Sequence, residues 1–134
     1  EGVNGITAVF NDVVEHAKRG DTFYRYTSER DLDNVNAHLP SDYRTRRDGK
    51  RLERLVISNP ESGKRKRSRL ERFIKFLGSG TESFNHNAIQ LIYGSRIAFI
   101  DLNANRSFII DNPTLADFQK TIFKALYRRL ERIP

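Results

Sequence analysis

The first twenty positions set apolar residues at three- and four-residue intervals: Val3, Ile6, Val9, Phe10, Val13, Val14 and Ala17. That spacing predicts one stripe of an amphipathic helix. Asn4 is placed to cap it, and Gly20 stands where such a helix commonly stops. "DTFYRYTS" (21–28) is rich in aromatic and β-branched residues and reads as a strand. The polar stretch 29–54 is predicted helical on either side of Pro40. "LVIS" (55–58) is a short buried strand ended by the turn signal Asn59-Pro60. A charged connection, "ESGKRKRSRLE", leads to a third strand, "RFIKFL" (72–77), and to the loop "GSGTES".

The pattern then changes from strand–helix alternation to a meander. Ala88–Tyr93, Arg96–Leu102 and Ser107–Ile110 are short strands separated by Gly94-Ser95 and by Asn103-Ala104-Asn105. Loops this short predict antiparallel hairpins. Asn112-Pro113 then supplies a cap and a first-turn proline. The helix behind it is expected to carry Leu115, Phe118, Ile122, Phe123, Leu126, Leu130 and Ile133 on one side. The fold class that follows is α/β, a mixed β-sheet sandwiched by helices.

A chain of 134 residues is expected to be a single domain. It can bury roughly 70% of its unfolded surface without a disulfide or metal staple. Cysteine is absent, which excludes disulfides and thiolate chemistry and fits a cytoplasmic setting. No apolar run reaches membrane-spanning length. Methionine is missing even at position 1, which suggests a domain cut from a longer protein.

Charge narrows the picture further. The formal net charge is +7, but residues 44–75 hold 13 basic and 4 acidic side chains, and the remainder is slightly acidic. The basicity is a patch on a near-neutral domain, of a kind that attracts phosphates. Its candidate residues are Arg46, Arg47, Lys50 and Arg51, with Arg47 and Lys50 or Arg51 expected on one side of a helix, and Lys64, Arg65, Lys66 and Arg67 in the connection. Three readings stay open: a solvated face, an anionic-ligand site, and a contact with nucleic acid or an acidic partner. Aromatic interleaving, which single-strand binding would use, is missing inside the run.

The histidines supply the candidate chemistry. Phospholipase D-type phosphodiesterases carry His-x-Lys-x-x-x-x-Asp, where His attacks phosphorus and Lys, two residues on along a strand, faces the same side. Read from His86, the lysine position is Ala88 and the aspartate position is Tyr93. The strand face expected to hold His86, Ala88, Gln90 and Ile92 offers an imidazole and an amide but no cation. Losing one such electrostatic contact costs roughly 10²–10³ in rate, so no catalytic residues are expected. His16 and His38 read as surface or cap histidines. No residues are spaced as metal ligands, and no cofactor is implied.

Taken together, "GITAVFNDVVEHAKRGDTFYRYTS", "RLVISN", "RFIKFL", "IQLIYGSRIAFIDL" and "FIIDNPTLADFQKTIFKALY" resemble the C-terminal domain of TrmB-like transcriptional regulators. The resemblance spans nearly the whole chain and rests on pattern, with no catalytic signature. It implies a phospholipase D-like fold that has lost its catalytic residues, with His86 at the old nucleophile position. It also implies an N-terminal winged helix-turn-helix that contacts DNA, a dimerising helix, and a part in effector sensing.

The leading expectation is therefore a non-enzymatic regulatory domain that forms a homodimer and takes a small-molecule effector, a sugar or an anionic metabolite. Its pocket is expected at the C-terminal ends of the central strands, with His86, Gln90 and Tyr26 as lining residues. The alternatives are a basic nucleic-acid-binding module and a phosphodiesterase that works through another arrangement.

Overall fold

Val3–His16 forms the first helix, α1, in the computed structural model, which describes residues 3–28, 32–58, 74–76 and 86–130. Ile6, Val9, Phe10, Val13 and Val14 are all buried, as their spacing predicts. The apolar stripe already includes Val3, so the helix is under way there and Asn4 lies inside its first turn instead of capping it. Gly20 comes four residues after the helix and serves the turn into the next strand, at φ +82°. Only glycine takes that backbone region without strain.

Strand β1 (Thr22–Thr27) runs parallel to β2 (Glu53–Ser58), and β2 runs parallel to β3 (Ile74–Phe76). Parallel neighbours need a crossover, which here contains two short helices, α2 (Leu32–Ala37) and α3 (Tyr43–Gly49), on either side of Pro40. Strand β4 (Ala88–Tyr93) pairs antiparallel with β1. Strands β5 (Arg96–Asp101) and β6 (Arg106–Asp111) follow as a meander. The sheet order is β3-β2-β1-β4-β5-β6, and helix α4 (Pro113–Arg129) closes the chain's described part.

The two hairpins follow from their turn residues. Gly94 takes φ +56° at the first central position of the β4–β5 turn, a conformation in which the strand twist is matched. Between β5 and β6, Asn105 takes φ +53°, and Asp101 Oδ1 accepts from the amides of Asn103 and Ala104 at 3.0 Å each. Asn112 caps α4 as its sequence suggests, its side chain accepting from Leu115 N at 3.0 Å.

Alternation along each strand divides the core into two. On one face, α1 with Val35 and Tyr43 packs against Phe23, Ile89, Leu91, Tyr93, Ala98 and Ile100. On the other, Ala116 and Phe123 of α4 pack against Tyr24, Ile57, Ile92 and Ile97. This is the mixed sheet with helices on both faces that the alternation predicts.

Three further expectations change. The apolar residues of α4 do not share one buried side: Phe123 is buried, while Leu115, Phe118 and Ile122 remain 45%, 60% and 42% exposed. The arc that meets the sheet runs through Ala116, Gln119, Lys120, Phe123 and Tyr127, with Leu126 and Leu130 packed against the same core; Ile133 lies outside the described residues. In the basic segment, α3 ends at Gly49 and Arg51 has φ +54°, so Arg47 and Arg51 do not stack along one helical side. Finally, Ala88 N donates to His86 O at 2.8 Å, which bends the chain at His86. Two-residue strand alternation therefore does not set the direction of its imidazole.

Candidate functional site

The parallel strand β1 ends at Thr27, and antiparallel β4 begins beside that end, with Tyr26 opposite Gln90. Strand β5 ends at the same level, where Phe99 stands opposite Phe108 of β6. Register alone thus gathers four strand ends along one rim of the sheet. The result is an open cleft of about 290 Å³ lined by Tyr26, Gln90, Phe99 and Phe108, with His86 and Asp101 among its further lining residues. The three residues singled out from sequence, Tyr26, His86 and Gln90, all lie in it.

Each polar group of the cleft is held differently. Gln90 Nε2 donates to Gln119 Oε1 of α4 at 3.1 Å, which orients its amide and leaves the carbonyl oxygen for another donor. Tyr26 packs edge-on against Phe123 with ring centroids 5.0 Å apart. Burial raises the Tyr26 pKa above its ordinary value, so the phenol stays protonated and able to donate. His86 is exposed, and the carboxylate of Asp101 is fixed by the two turn amides described above. Thr27 and Ser28 add hydroxyls.

The described lining offers aromatic surface and hydrogen-bonding groups. Among the described residues, no lysine or arginine lines the cleft, and Asp101 brings a negative charge to it. Phosphoryl transfer through His86 would lack, among these residues, the cation that offsets charge in its transition state. Phe99, Phe108 and Asp101 escape sequence reading because nothing local marks them. They belong to the site only because β5 and β6 place their ends beside those of β1 and β4.

The basic segment has a different outcome. Lys50 Nζ donates to the carbonyl oxygens of Val14 at 2.6 Å, Ala17 at 2.9 Å and Glu15 at 3.3 Å. It therefore neutralises the C-terminal end of α1, where helix carbonyls lack partners. Arg46 Nη1 donates to Asn11 Oδ1 at 2.7 Å, and Arg47 lies over the Tyr43 ring and beside Asp48. Arg51 is exposed. Lys64, Arg65, Lys66 and Arg67 lie outside the described residues.

A second group of polar side chains sits on the opposite side of the sheet. Ligand atoms of Asp12, Glu15 and His16 lie within 4.8 Å of one another. Both oxygens of Asp12 are already engaged, by the Tyr93 hydroxyl at 2.7 Å and by Arg96 Nη1 at 2.9 Å. His16 Nδ1 lies 3.0 Å from Asp12 Oδ1. The group ties α1 to the β4–β5 hairpin. His38 Nδ1 sits 2.8 Å from Asn34 O, at the end of α2.

The whole frame can be compared with known proteins. No family model and no curated protein matches the chain. Among solved structures, TrmBL2, an archaeal chromatin protein whose structure shows a novel mode of DNA binding, shares the fold. The TM-score is 0.66 at 15% sequence identity. The match covers 98% of this chain and 51% of that one, so the present chain spans about half the length of its neighbour. No helix among the described residues is long and apolar enough to cross a membrane.

Proposed function

We propose that this chain is a non-enzymatic regulatory domain of a TrmB-like DNA-binding regulator, built on a phospholipase D-like half-fold, and that the cleft at Tyr26, His86 and Gln90 is its effector site. The observation that carries this reading is the make-up of the cleft: the rings of Tyr26, Phe99 and Phe108, the neutral amide of Gln90, and a carboxylate in place of a cation among the described residues. Fold likeness to a chromatin protein supports the regulatory setting. DNA contact would come from another domain, and effector binding would bias one arrangement of two such domains over another.

The lining favours an uncharged polyhydroxylated ligand, such as a sugar, over an anionic metabolite. Phe99 and Phe108 offer faces to ring C–H groups, and the Gln90 carbonyl oxygen suits a hydroxyl. An anion would meet Asp101 instead.

Thermal unfolding against a panel of neutral sugars and their phosphorylated forms tests this. At least one neutral sugar should raise the melting temperature, the phosphorylated form should do so less, and Phe108→Ala should remove the shift. A panel that leaves the melting temperature unmoved would sink the effector reading. Turnover of a chromogenic phosphodiester, abolished by His86→Ala, would instead restore the phosphodiesterase.

A further inference from the structure

Strand β6 is the outermost strand of the sheet, and among the described residues nothing pairs with its outer edge. Its centre is apolar on both faces: Phe108, Ile109 and Ile110 are 56%, 40% and 40% exposed. Natural edge strands are usually blunted by a central charge, a proline or a bulge. Here the charges stand only at the strand's ends, Arg106 and Asp111.

The hydrogen-bond phase fixes which backbone groups are available. Asn112 N donates to Ser95 O at 2.9 Å, and the register continues from Arg96 opposite Asp111. In an antiparallel ladder the bonding pairs alternate. The main-chain groups of Phe108 and Ile110 therefore point to β5, and those of Ser107, Ile109 and Asp111 point outward.

We infer that β6 pairs antiparallel with β6 of a second copy of this chain, about a two-fold axis at Ile109, to form a continuous twelve-stranded sheet. The outward main-chain groups of Ile109 meet those of the partner's Ile109, and those of Ser107 meet those of the partner's Asp111, the Asp111 carboxylate itself being held by Ser95 and Arg96 of its own chain. On the α4 face, Phe108 stands opposite the partner's Ile110, and Ile110 opposite the partner's Phe108. The two neighbouring two-fold registers are poorer: centred on Phe108, the pairing sets Arg106 against the partner's Ile110 and Ser107 against the partner's Ile109, and centred on Ile110 it sets Ile109 against the partner's Asp111 and Phe108 against the partner's Asn112. The strand is thus chemically symmetric about its own centre, which is what a two-fold contact requires.

The exposed side of α4 extends this surface. Gln119 reaches Gln90 while Lys120 reaches Gly94 O, at the opposite ends of β4. Leu115, Phe118 and Ile122 lie around the helix from Gln119 on the side away from Lys120. They therefore border the open end of the sheet face that carries Phe99 and Phe108. A two-fold axis through β6 turns the partner's stripe toward this one, across the paired strands. The pairing does not depend on the effector cleft being occupied.

Sedimentation over a range of concentrations, with introduced cysteines, tests the inference. The chain should sediment as a dimer. Ile109→Lys, which sets two ammonium groups face to face on the axis, should make it monomeric with an unchanged far-ultraviolet circular dichroism spectrum. The chain holds no cysteine, so introduced thiols report alone. An equimolar mixture of Phe108→Cys and Ile110→Cys proteins should cross-link on oxidation far more than either protein by itself. A wild-type monomer at every concentration overturns the inference, and so does a dimer that Ile109→Lys leaves intact. If Ile109→Lys fails to fold, the cross-links decide: absence of the mixed product, or self-linking of Phe108→Cys alone, rules the register out.

Discussion

The hydroxyl of Tyr93, on a fully buried ring of β4, donates to Asp12 Oδ2 of α1 at 2.7 Å. Arg96 approaches the same carboxylate from the far side of the β4–β5 turn. Three elements are joined by this contact, and the carboxylate supplies the acceptor that the hydroxyl of the buried Tyr93 needs.

Removing the carboxylate should therefore cost more than removing the hydroxyl. Tyr93→Phe should lower stability by about 1–2 kcal/mol, and Asp12→Ala by roughly 2–3 kcal/mol, because it leaves the Tyr93 hydroxyl without its acceptor and takes from Arg96 the nearer of its two carboxylates, Asp111 being the other. Denaturant unfolding of the two variants reads the difference. Equal losses would mean that the carboxylate does not serve both partners.

The same contact sets an alkaline limit. Burial, and then the hydrogen bond to Asp12 and its charge, hold the Tyr93 pKa above the ordinary value of 10.0. In the unfolded chain the phenol ionises near pH 10, while in the folded chain it stays protonated. The unfolded state thus loses protons first, and stability falls as pH rises above about 10. Tyr93→Phe should make the melting temperature less steep in pH over that interval and leave its pH dependence between 7 and 9 unaltered.

Lys50 stabilises α1 from outside the helix. Lys50→Met keeps much of the stem but loses the ammonium on three carbonyls, and should cost about 1–2 kcal/mol. Protection of the amides in the last turn of α1 against hydrogen exchange should drop with it. Unchanged protection would show that water replaces the ammonium without loss.

Phe123 is the centre of an aromatic cluster on the α4 face, with ring centroids 5.0 Å from Tyr24, 5.0 Å from Tyr26 and 5.7 Å from Tyr127. Phe123→Ala should destabilise by about 3–5 kcal/mol, and Phe123→Leu by much less. Because Tyr26 lines the cleft, Phe123→Leu should also weaken any ligand that raises the melting temperature of the wild type.

The basic segment makes a separate prediction about salt. Any affinity of this chain for nucleic acid should fall with salt at a log–log slope of about −0.9 per phosphate neutralised. Arg51→Ala should reduce that slope by about one phosphate's share, whereas Lys50→Met should leave it unchanged, since that ammonium is occupied by α1. No binding at low salt would leave the segment's charge without a nucleic-acid partner.

What the sequence alone determined is local. The stripe from Ile6 to Val14, the alternation in Ala88–Tyr93, the turn at Gly94 and the cap at Asn112 each rest on contacts between near neighbours, so residue pattern is enough to read them. Even the three cleft residues could be named, because they lie near the ends of strands that pattern reveals. Only the tertiary structure decided which face of α4 meets the sheet and leaves Phe118 in solvent. It also turned Lys50 inward to α1 and set Phe99 and Phe108 beside Tyr26. Those outcomes depend on crossing angles and on strand order, which join residues far apart along the chain, and spacing between neighbours holds no record of either.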